Sequence, residues 1–462
     1  MVSLIRGTIF LLLIVNFSIG YAADRFALAK ESLRSQLDII YLVTDDDRFA
    51  AHLEALPLAS EPQSLIAIIE DIHMFWSSQN IAMRSLLTLQ TKIESNDVLA
   101  MAMAVEPAAN EYLAISNHIR YLHWLAKQDE WMPIEPNGWL KLGDSHRSIV
   151  DIRRRLDRLG DGVLHNLTST EYDLELEKAI LIFQQRHGLE TDGVVGPATL
   201  RWLNTTASQR ANIIADDFVA RNRYLTSVEQ RYLLINIPAY EMVLVDSDRV
   251  VLNSRVIVGK PYRRTPLLKS HISNMVLNPT WRVPRKLMKR DLLPKVGENG
   301  SYFSEGKFDV FNYAGERVIK TDQEWQDLAQ GDFPYRIVQQ AGETNTLGRF
   351  KFFFENQYNV YLHDTLDKAL FEKSDRALSS GCIRVEKVQQ LANWMAANLV
   401  KDKQTWVEMQ QDKNTTQWFS FHQSLPVHLV YWTSWVGNQN RLQFRTDIYK
   451  RHQKLSLELA SQ

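Results

Sequence analysis

Apolar positions in this chain change their spacing partway along. From 24 to 145 they recur at helical intervals. Leu65, Ile68, Ile69, Ile72 and Phe75 fall three and four apart, and Ile115, Ile119, Leu122 and Leu125 make a second stripe within 97–127. Pro107 is placed to split that run, since an interior proline removes a helical hydrogen bond. The stretch 131–138, Trp-Met-Pro-Ile-Glu-Pro-Asn-Gly, reads as a linker. Trp124 and Trp131 suit core packing better than partner contact. A compact second helical unit spans 146–204. Ile149, Ile152, Leu156 and Leu159 predict one helix stopped at Gly160-Asp161-Gly162, and 174–187 predicts another with Gly188 as its cap. Pro197 sits where a first helical turn tolerates it, ahead of a short last helix. Residues 205–230 continue as a helical linker.

From Arg231 the period shortens to that of strands. Runs at 231–237, 241–245 and 250–258 are separated by Pro238-Ala239-Tyr240 and Asp246-Ser247-Asp248-Arg249. The runs 271–277, 350–354 and 360–362 continue the sheet, and 427–436 with 442–448 predicts a closing hairpin around Gly437-Asn438-Gln439-Asn440. Between 278 and 340 lies a stretch rich in Lys, Gly, Asp and aromatic residues, which reads as an insertion into a β-domain spanning 231–450. Residues 451–462 are a tail. The expected fold is therefore multidomain α+β.

Charge changes this picture little. A formal net charge of −1 gives no basic field for nucleic acid. The one segment able to enter a membrane is 1–23, where Arg6 precedes a short apolar stretch and small residues around Ala22 and Ala23. That is the build of a secretory signal peptide, which predicts an exported, periplasmic protein. An inner-membrane anchor follows only if the segment is uncleaved.

The cysteine count adds more. The chain has a single cysteine, Cys382. An exported protein with one thiol can form no internal disulfide, so the thiol is either an inert core residue or a reactive one. Its neighbours favour reactivity. Tyr361-Leu362-His363-Asp364-Thr365 ends a strand, and Ser379-Ser380-Gly381-Cys382-Ile383-Arg384 precedes a predicted helix at 385–399. A thiol just before a helix N-terminus is stabilised as thiolate. Gly381 allows a tight turn, and backbone N–H groups at Gly381 and Cys382 are placed to hold an oxyanion. A thiol also needs a base, and imidazole serves near neutral pH. His363 is the best placed, His271 the second choice, and His422 and His428 the weakest. Neighbouring residues on a strand face opposite ways, so a backbone carbonyl suits the His363 imidazole better than the Asp364 side chain does.

His363 with Ser379-x-Gly381-Cys382-x-Arg384 resembles the signature of the L,D-transpeptidase catalytic domain. Phe183-Gln184 with Gly188-Leu189, then Asp192-Gly193-x-x-Gly196-x-x-Thr199, resembles the small helical peptidoglycan-binding domain. Ser380 stands where many small family members have His. The larger Gram-negative members of YcbB type carry Ser-Ser-Gly-Cys. They also share the helical N-terminal scaffold and the Asn278-Pro279-x-Trp281-x-Val283-Pro284 opening of a capping insertion.

The resemblance implies Cys382 as nucleophile, His363 as general base and Gly381 as a backbone element of the oxyanion site. It implies that Arg384 orients the loop or a substrate carboxylate, with Ser379, Ser380, Tyr361 and Trp281 near the substrate. The implied reaction forms 3→3 diaminopimelate cross-links through a thioester, between tetrapeptide stems acting as donor and acceptor. It needs no metal or cofactor, and cell-wall synthases would be partners. A hydrolase of the same fold and a non-catalytic wall-binding protein stay open as alternatives. Lys286, Lys289, Arg290 and Lys295, with Tyr302, Phe303, Phe308 and Phe311, make the insertion a candidate lid over the thiol.

Overall fold

The computed structural model describes residues 24–44, 46–85, 97–128 and 130–452. The predicted signal peptide 1–23 and all but the first two residues of the tail lie outside them. The chain divides into two compact units, Met1–Val228 with Trp432–Gln462, and Glu229–Tyr431. No described helix is long and apolar enough to cross a membrane.

The first unit is helical. Ile66–Ser78 buries Ile68, Ile69, Ile72, Phe75 and Trp76, and Tyr112–Gln128 buries Ile115, Ile119, Leu122 and Leu125. The predicted break near Pro107 separates Val98–Ala104 from Tyr112–Gln128. Ser148–Leu159 ends at Gly160 in the left-handed conformation, φ 73°. Leu174–Arg186 follows, capped at its start by the Asp173 carboxylate, and Pro197 opens Pro197–Asn204. All these helices share one continuous apolar core with the rest of the unit.

Three expectations change here. The helical linker expected at 205–230 is a helix, Ala207–Leu225, opened by a capping box from Thr206 and Gln209, but it is more than a connector, because it buries Ala211, Ile214, Phe218 and Val219 in that core. The stretch 131–138 is irregular but docked. Trp131 is buried and donates its indole N–H to the Leu203 carbonyl, whereas Trp124 is exposed and stacks on Tyr121. The closing hairpin does not extend the main sheet. Ser434–Val436 pairs with Leu442–Phe444 in a separate two-stranded ladder of the helical unit.

The second unit is a curled sheet. Its strands are β1 Arg231–Asn236, β2 Glu241–Asp246, β3 Arg249–Gly259, β4 Leu268–Leu277, β9 Phe350–Phe354, β10 Leu362–His363, β11 Ala377–Ser379, β12 Ile383–Val385 and β13 Gln417–Val430. Between β4 and β9 come β5 Trp281–Arg282, β6 Phe308–Phe311, β7 Arg317–Val318 and β8 Arg336–Gln339. The nine run in the order β11-β3-β12-β10-β9-β4-β13-β1-β2, and β2 also pairs with β3, so the pairing path returns on itself. Closure of this kind leaves few unpaired edges. Ser247 and Asp248 both have positive φ, 52° and 60°, as a tight hairpin between β2 and β3 requires.

The stretch between β4 and β9 folds into a cap of its own. Its sheet has the order β5-β8-β6-β7, and a separate core gathers Trp281, Met288, Val296, Phe303, Trp325, Phe333 and Ile337. Trp281 of β5 is in register with Gln339 of β8, so the cap leaves and rejoins the barrel at neighbouring points.

Candidate active site

Strand alternation sets the first feature. In β9, Phe350, Phe352 and Phe354 turn into the barrel core, so Lys351 and Phe353 face the other way. Leu362 of β10 opposes Phe352, which leaves His363 opposite Lys351, and parallel pairing sets Arg384 of β12 beside His363. Three basic side chains thus stand in one cross-strand row, Lys351–His363–Arg384. Val276 and Trp418 continue it on one side and Ile257 on the other.

Cys382 sits in the turn between β11 and β12. This corrects the helix-terminus expectation, because the helix begins at Val388. The reason is tertiary. Ile383–Val385 is taken up as a strand, paired parallel to β10 and antiparallel to β3, so Cys382 gains no helix-dipole stabilisation. Burial pushes its thiol above the ordinary value, opposed by hydrogen bonds from Tyr361 and by the charges of Lys351 and Arg384.

The loop is held by its own side chains. Ser379 Oγ donates to the Cys382 carbonyl at 2.5 Å and accepts the Gly381 N–H at 3.1 Å. Thr265 Oγ donates to the Gly381 carbonyl at 2.8 Å. Gly381 has φ +117°, which L side chains rarely adopt, while a Cβ there would meet nothing closer than 3.6 Å. Its role is therefore backbone conformation. Its N–H donates to Ser379 Oγ. Among the described residues no acceptor takes the Cys382 N–H. Ser379 lines the cavity, but it is buried and its hydroxyl is spent on the loop. Ser380 is exposed and accepts from Arg263 at 2.6 Å.

His363 is buried, and its Nδ1 lies 2.5 Å from the Asp364 backbone carbonyl. A carbonyl only accepts, so Nδ1 carries the proton. The Asp364 carboxylate turns away, accepting the Arg349 and Thr365 N–H groups at 2.9 and 2.7 Å and pairing with Lys368. Gly348 makes room for it, because a Cβ there would lie 2.5 Å from that carboxylate. Burial first, then the Arg384 charge, lowers the imidazole to about 3, so it is neutral near pH 7. Of the four histidines considered from sequence, only His363 reaches the Cys382 cavity. His271 and His422 are exposed on their strands, and His428 is buried 3.1 Å from Glu229.

That cavity has a volume of about 850 Å³ and is lined by Cys382, His363, Arg384, Tyr361 and the cap. The cap contributes Trp281, Lys286, Arg290, Lys295 and Tyr302. Lys289 does not line the cavity, and Phe303 belongs to the cap core. Arg263, Arg264 and Arg285 add to the positive lining. The one acid there, Asp291, is paired with Arg263 at 2.8 Å. Tyr361 lies where the parts meet, with Trp281 of the cap and Cys382 both beside its hydroxyl. Arg384 Nε is buried with no hydrogen-bond partner among the described residues, an orphan donor at the cavity wall.

Sequence reading did not mark Lys351. The available signal was a lysine set in a run of four phenylalanines, Phe350 to Phe354, on a strand one pairing away from His363.

This geometry defines a thiol and a neutral imidazole under a cationic roof. Residues 230–409 match the YkuD family model, the L,D-transpeptidase catalytic domain. Residues 145–203 match the model described as "Putative peptidoglycan binding domain". The chain thus carries one segment similar to the L,D-transpeptidase catalytic domain and another similar to a peptidoglycan-binding domain. A Haemophilus influenzae protein described as "Putative L,D-transpeptidase" is 36% identical over 230 residues, 49% of this chain and 45% of that protein. The chain therefore spans less than half the length of that curated relative. Solved L,D-transpeptidases from Stackebrandtia nassauensis and Xylanimonas cellulosilytica are 12% and 13% identical, cover 64% and 65% of this chain and 96% and 100% of their own, and have TM-scores of 0.23 and 0.20. Likenesses that loose carry no argument.

Proposed function

We propose that this protein is an exported L,D-transpeptidase of the large YcbB type that forms 3→3 cross-links between peptidoglycan stems. The observation that carries the reading is that the chain's single thiol and a neutral, backbone-anchored imidazole open into the same cationic cavity. Cys382 Sγ attacks the carbonyl joining diaminopimelate to the terminal D-Ala of a donor tetrapeptide. The S–C bond forms, the C–N bond breaks, and His363 passes the thiol proton to the departing amine of D-Ala. An acceptor amine then attacks the thioester, gives its proton back through His363, and restores the thiol. The Cys382 N–H is the oxyanion donor in this reading, with Ser379 and Gly381 holding the turn that aims it. A resting imidazole at about 3 beside a raised thiol makes His363 a carrier of the proton rather than its resting place.

The cationic lining suits the carboxylates of anionic stems, and Arg384, with its unpaired Nε, is suited to one of them. The cap covers the thioester and withholds it from water until an amine arrives. The peptidoglycan-binding-type domain fits a role in presenting the wall, with cell-wall synthases as partners in the periplasm.

Incubating the protein with a disaccharide-tetrapeptide and weighing the products tests this. A cross-linked dimer with released D-Ala is expected. Tripeptide alone would make the protein a hydrolase, and unchanged substrate would leave a wall-binding protein.

A further inference from the structure

Lys351 occupies a position that no packing rule requires. It lies on a core strand, opposite His363 and two strands from Arg384. Its ammonium sits 3.8 Å from the ring centroid of Tyr361 and 4.2 Å from that of Phe353, so two aromatic faces hold it. Its neighbour in the row on the β4 side is Val276, and Trp418 of β13 follows, so neither strand offers it a carboxylate. Asp364, the acid nearest in sequence to His363, faces away and is taken by Lys368 and two backbone N–H groups. The titratable groups facing Lys351 are therefore His363, Tyr361, Arg384 and Cys382. Of these, only Cys382 and Tyr361 can carry negative charge, and the Tyr361 hydroxyl is pushed upward by burial and by Cys382. A cation half-buried without an acidic partner costs stability, which points to a role outside folding.

We propose that Lys351 is a positioning residue for the nucleophile: its ammonium, seated on the Tyr361 ring beside His363, supplies the charge that stabilises the Cys382 thiolate. The inference rests on the reading of Cys382 as nucleophile. The same charge, with that of Arg384, disfavours a proton on His363 and so keeps the imidazole ready to accept one. Burial lowers Lys351 to about 8, and the charge of Cys382 opposes that shift. The thiolate support would then fade as pH rises past that value.

Because the chain has one cysteine, alkylation by iodoacetamide followed by intact mass reads the Cys382 thiolate directly. In Lys351→Met the apparent thiol pKa should rise by about 1 unit or more, the scale of a lost opposite charge nearby. Alkylation at pH 7.5 should fall about tenfold with it. Lys351→Arg should stay within about threefold of wild type. A Lys351→Met protein with wild-type near-UV circular dichroism and a wild-type alkylation profile would overturn the proposal. A second measurement leaves Lys351 in place, so that misfolding of the Met variant cannot shield the idea. Lysines are ¹³C-methylated reductively in wild type and Cys382→Ala, and the Lys351 signal is assigned by its absence from Lys351→Arg. Linkage requires its midpoint to move down in Cys382→Ala, and an unmoved midpoint refutes the coupling. Alkylation reads the thiol whatever reaction the protein catalyses, so failure here is distinct from failure to cross-link the disaccharide-tetrapeptide.

Discussion

Two buried histidines, one in each unit, look alike by every local measure except one. His187, at the end of the helix Leu174–Arg186, places Nδ1 2.7 Å from the Phe183 carbonyl, and His363 places Nδ1 2.5 Å from the Asp364 carbonyl. Burial is the leading cause that lowers both, with an arginine next, Arg186 in one case and Arg384 in the other. The difference is in what else touches the ring. Arg210, itself fully buried, lies 2.9 Å from His187 Nε2, and Phe444 stacks on the imidazole at 5.3 Å. No side chain hydrogen-bonds to His363 among the described residues, and its ring faces the cavity that holds Cys382. A perturbed imidazole is therefore no mark of function by itself. An imidazole anchored by backbone carbonyls and sharing a cavity with a thiol is the better mark.

The largest test of this contrast removes what His363 faces. Cys382→Ala should abolish acylation by a donor stem or a carbapenem, read as loss of the mass adduct, with the fold unchanged. A persistent adduct would move the nucleophile elsewhere. Next come the histidines themselves. His363→Gln should slow acylation by roughly 10²–10⁴-fold, the range of general acid–base assistance. His187→Gln should leave the acylation rate within about threefold. It should destabilise the helical unit by roughly 1–3 kcal/mol through the buried Arg210 guanidinium it strands, or about 2–4 °C in Tm per kcal/mol. If His187→Gln slowed acylation as much as His363→Gln, the distinction would fail.

Trimming the cap to a short Gly/Ser bridge between Trp281 and Gln339 should have a smaller effect. Those residues are already in register, so the barrel can close without it. Some carbapenem acylation should survive, because Cys382 and His363 stand outside the cap. The product ratio should shift from dimer toward hydrolysed tripeptide. A folded, trimmed enzyme with wild-type rate and ratio would reduce the cap to ornament.

The last test concerns acid. An unfolded imidazole protonates near 6.5, whereas folded His363 does so at about 3. Between these values the unfolded chain binds more protons, so stability is full above about 6.5 and declines as pH falls toward 3. The acylation rate should accordingly show no inflection near 6.5. A bell whose acid limb falls at that pH would mean that His363 is solvated and ordinary.

The parts legible in the sequence are those settled by short-range rules. Gly160 and Pro197 mark helix ends because one backbone accepts positive φ and the other needs no N–H. Period-2 patterning at 231–258 gives β1 to β3, and the His363 and Ser379–Arg384 motif points to the residues proposed to react. Alternation along the strand favours a backbone carbonyl over the Asp364 carboxylate as partner of the imidazole, and the structure places the Asp364 carbonyl there. What tertiary structure decided is everything that depends on a partner distant in sequence. The segment 383–385 is ambiguous alone and became a strand because β3 and β10 offered free ladders on either side. Residues 205–230 looked like a connector and became core, because the helix Tyr112–Gln128 and its neighbours needed an apolar face to cover. Lys351 is one lysine among many in the sequence. Only pairing across β9, β10 and β12 sets it beside His363 and Arg384, and only the Tyr361 ring brings its charge to Cys382. Propensity and motif act over a few residues, whereas register and burial are properties of the whole sheet, and the electrostatics of this site follow from the second kind.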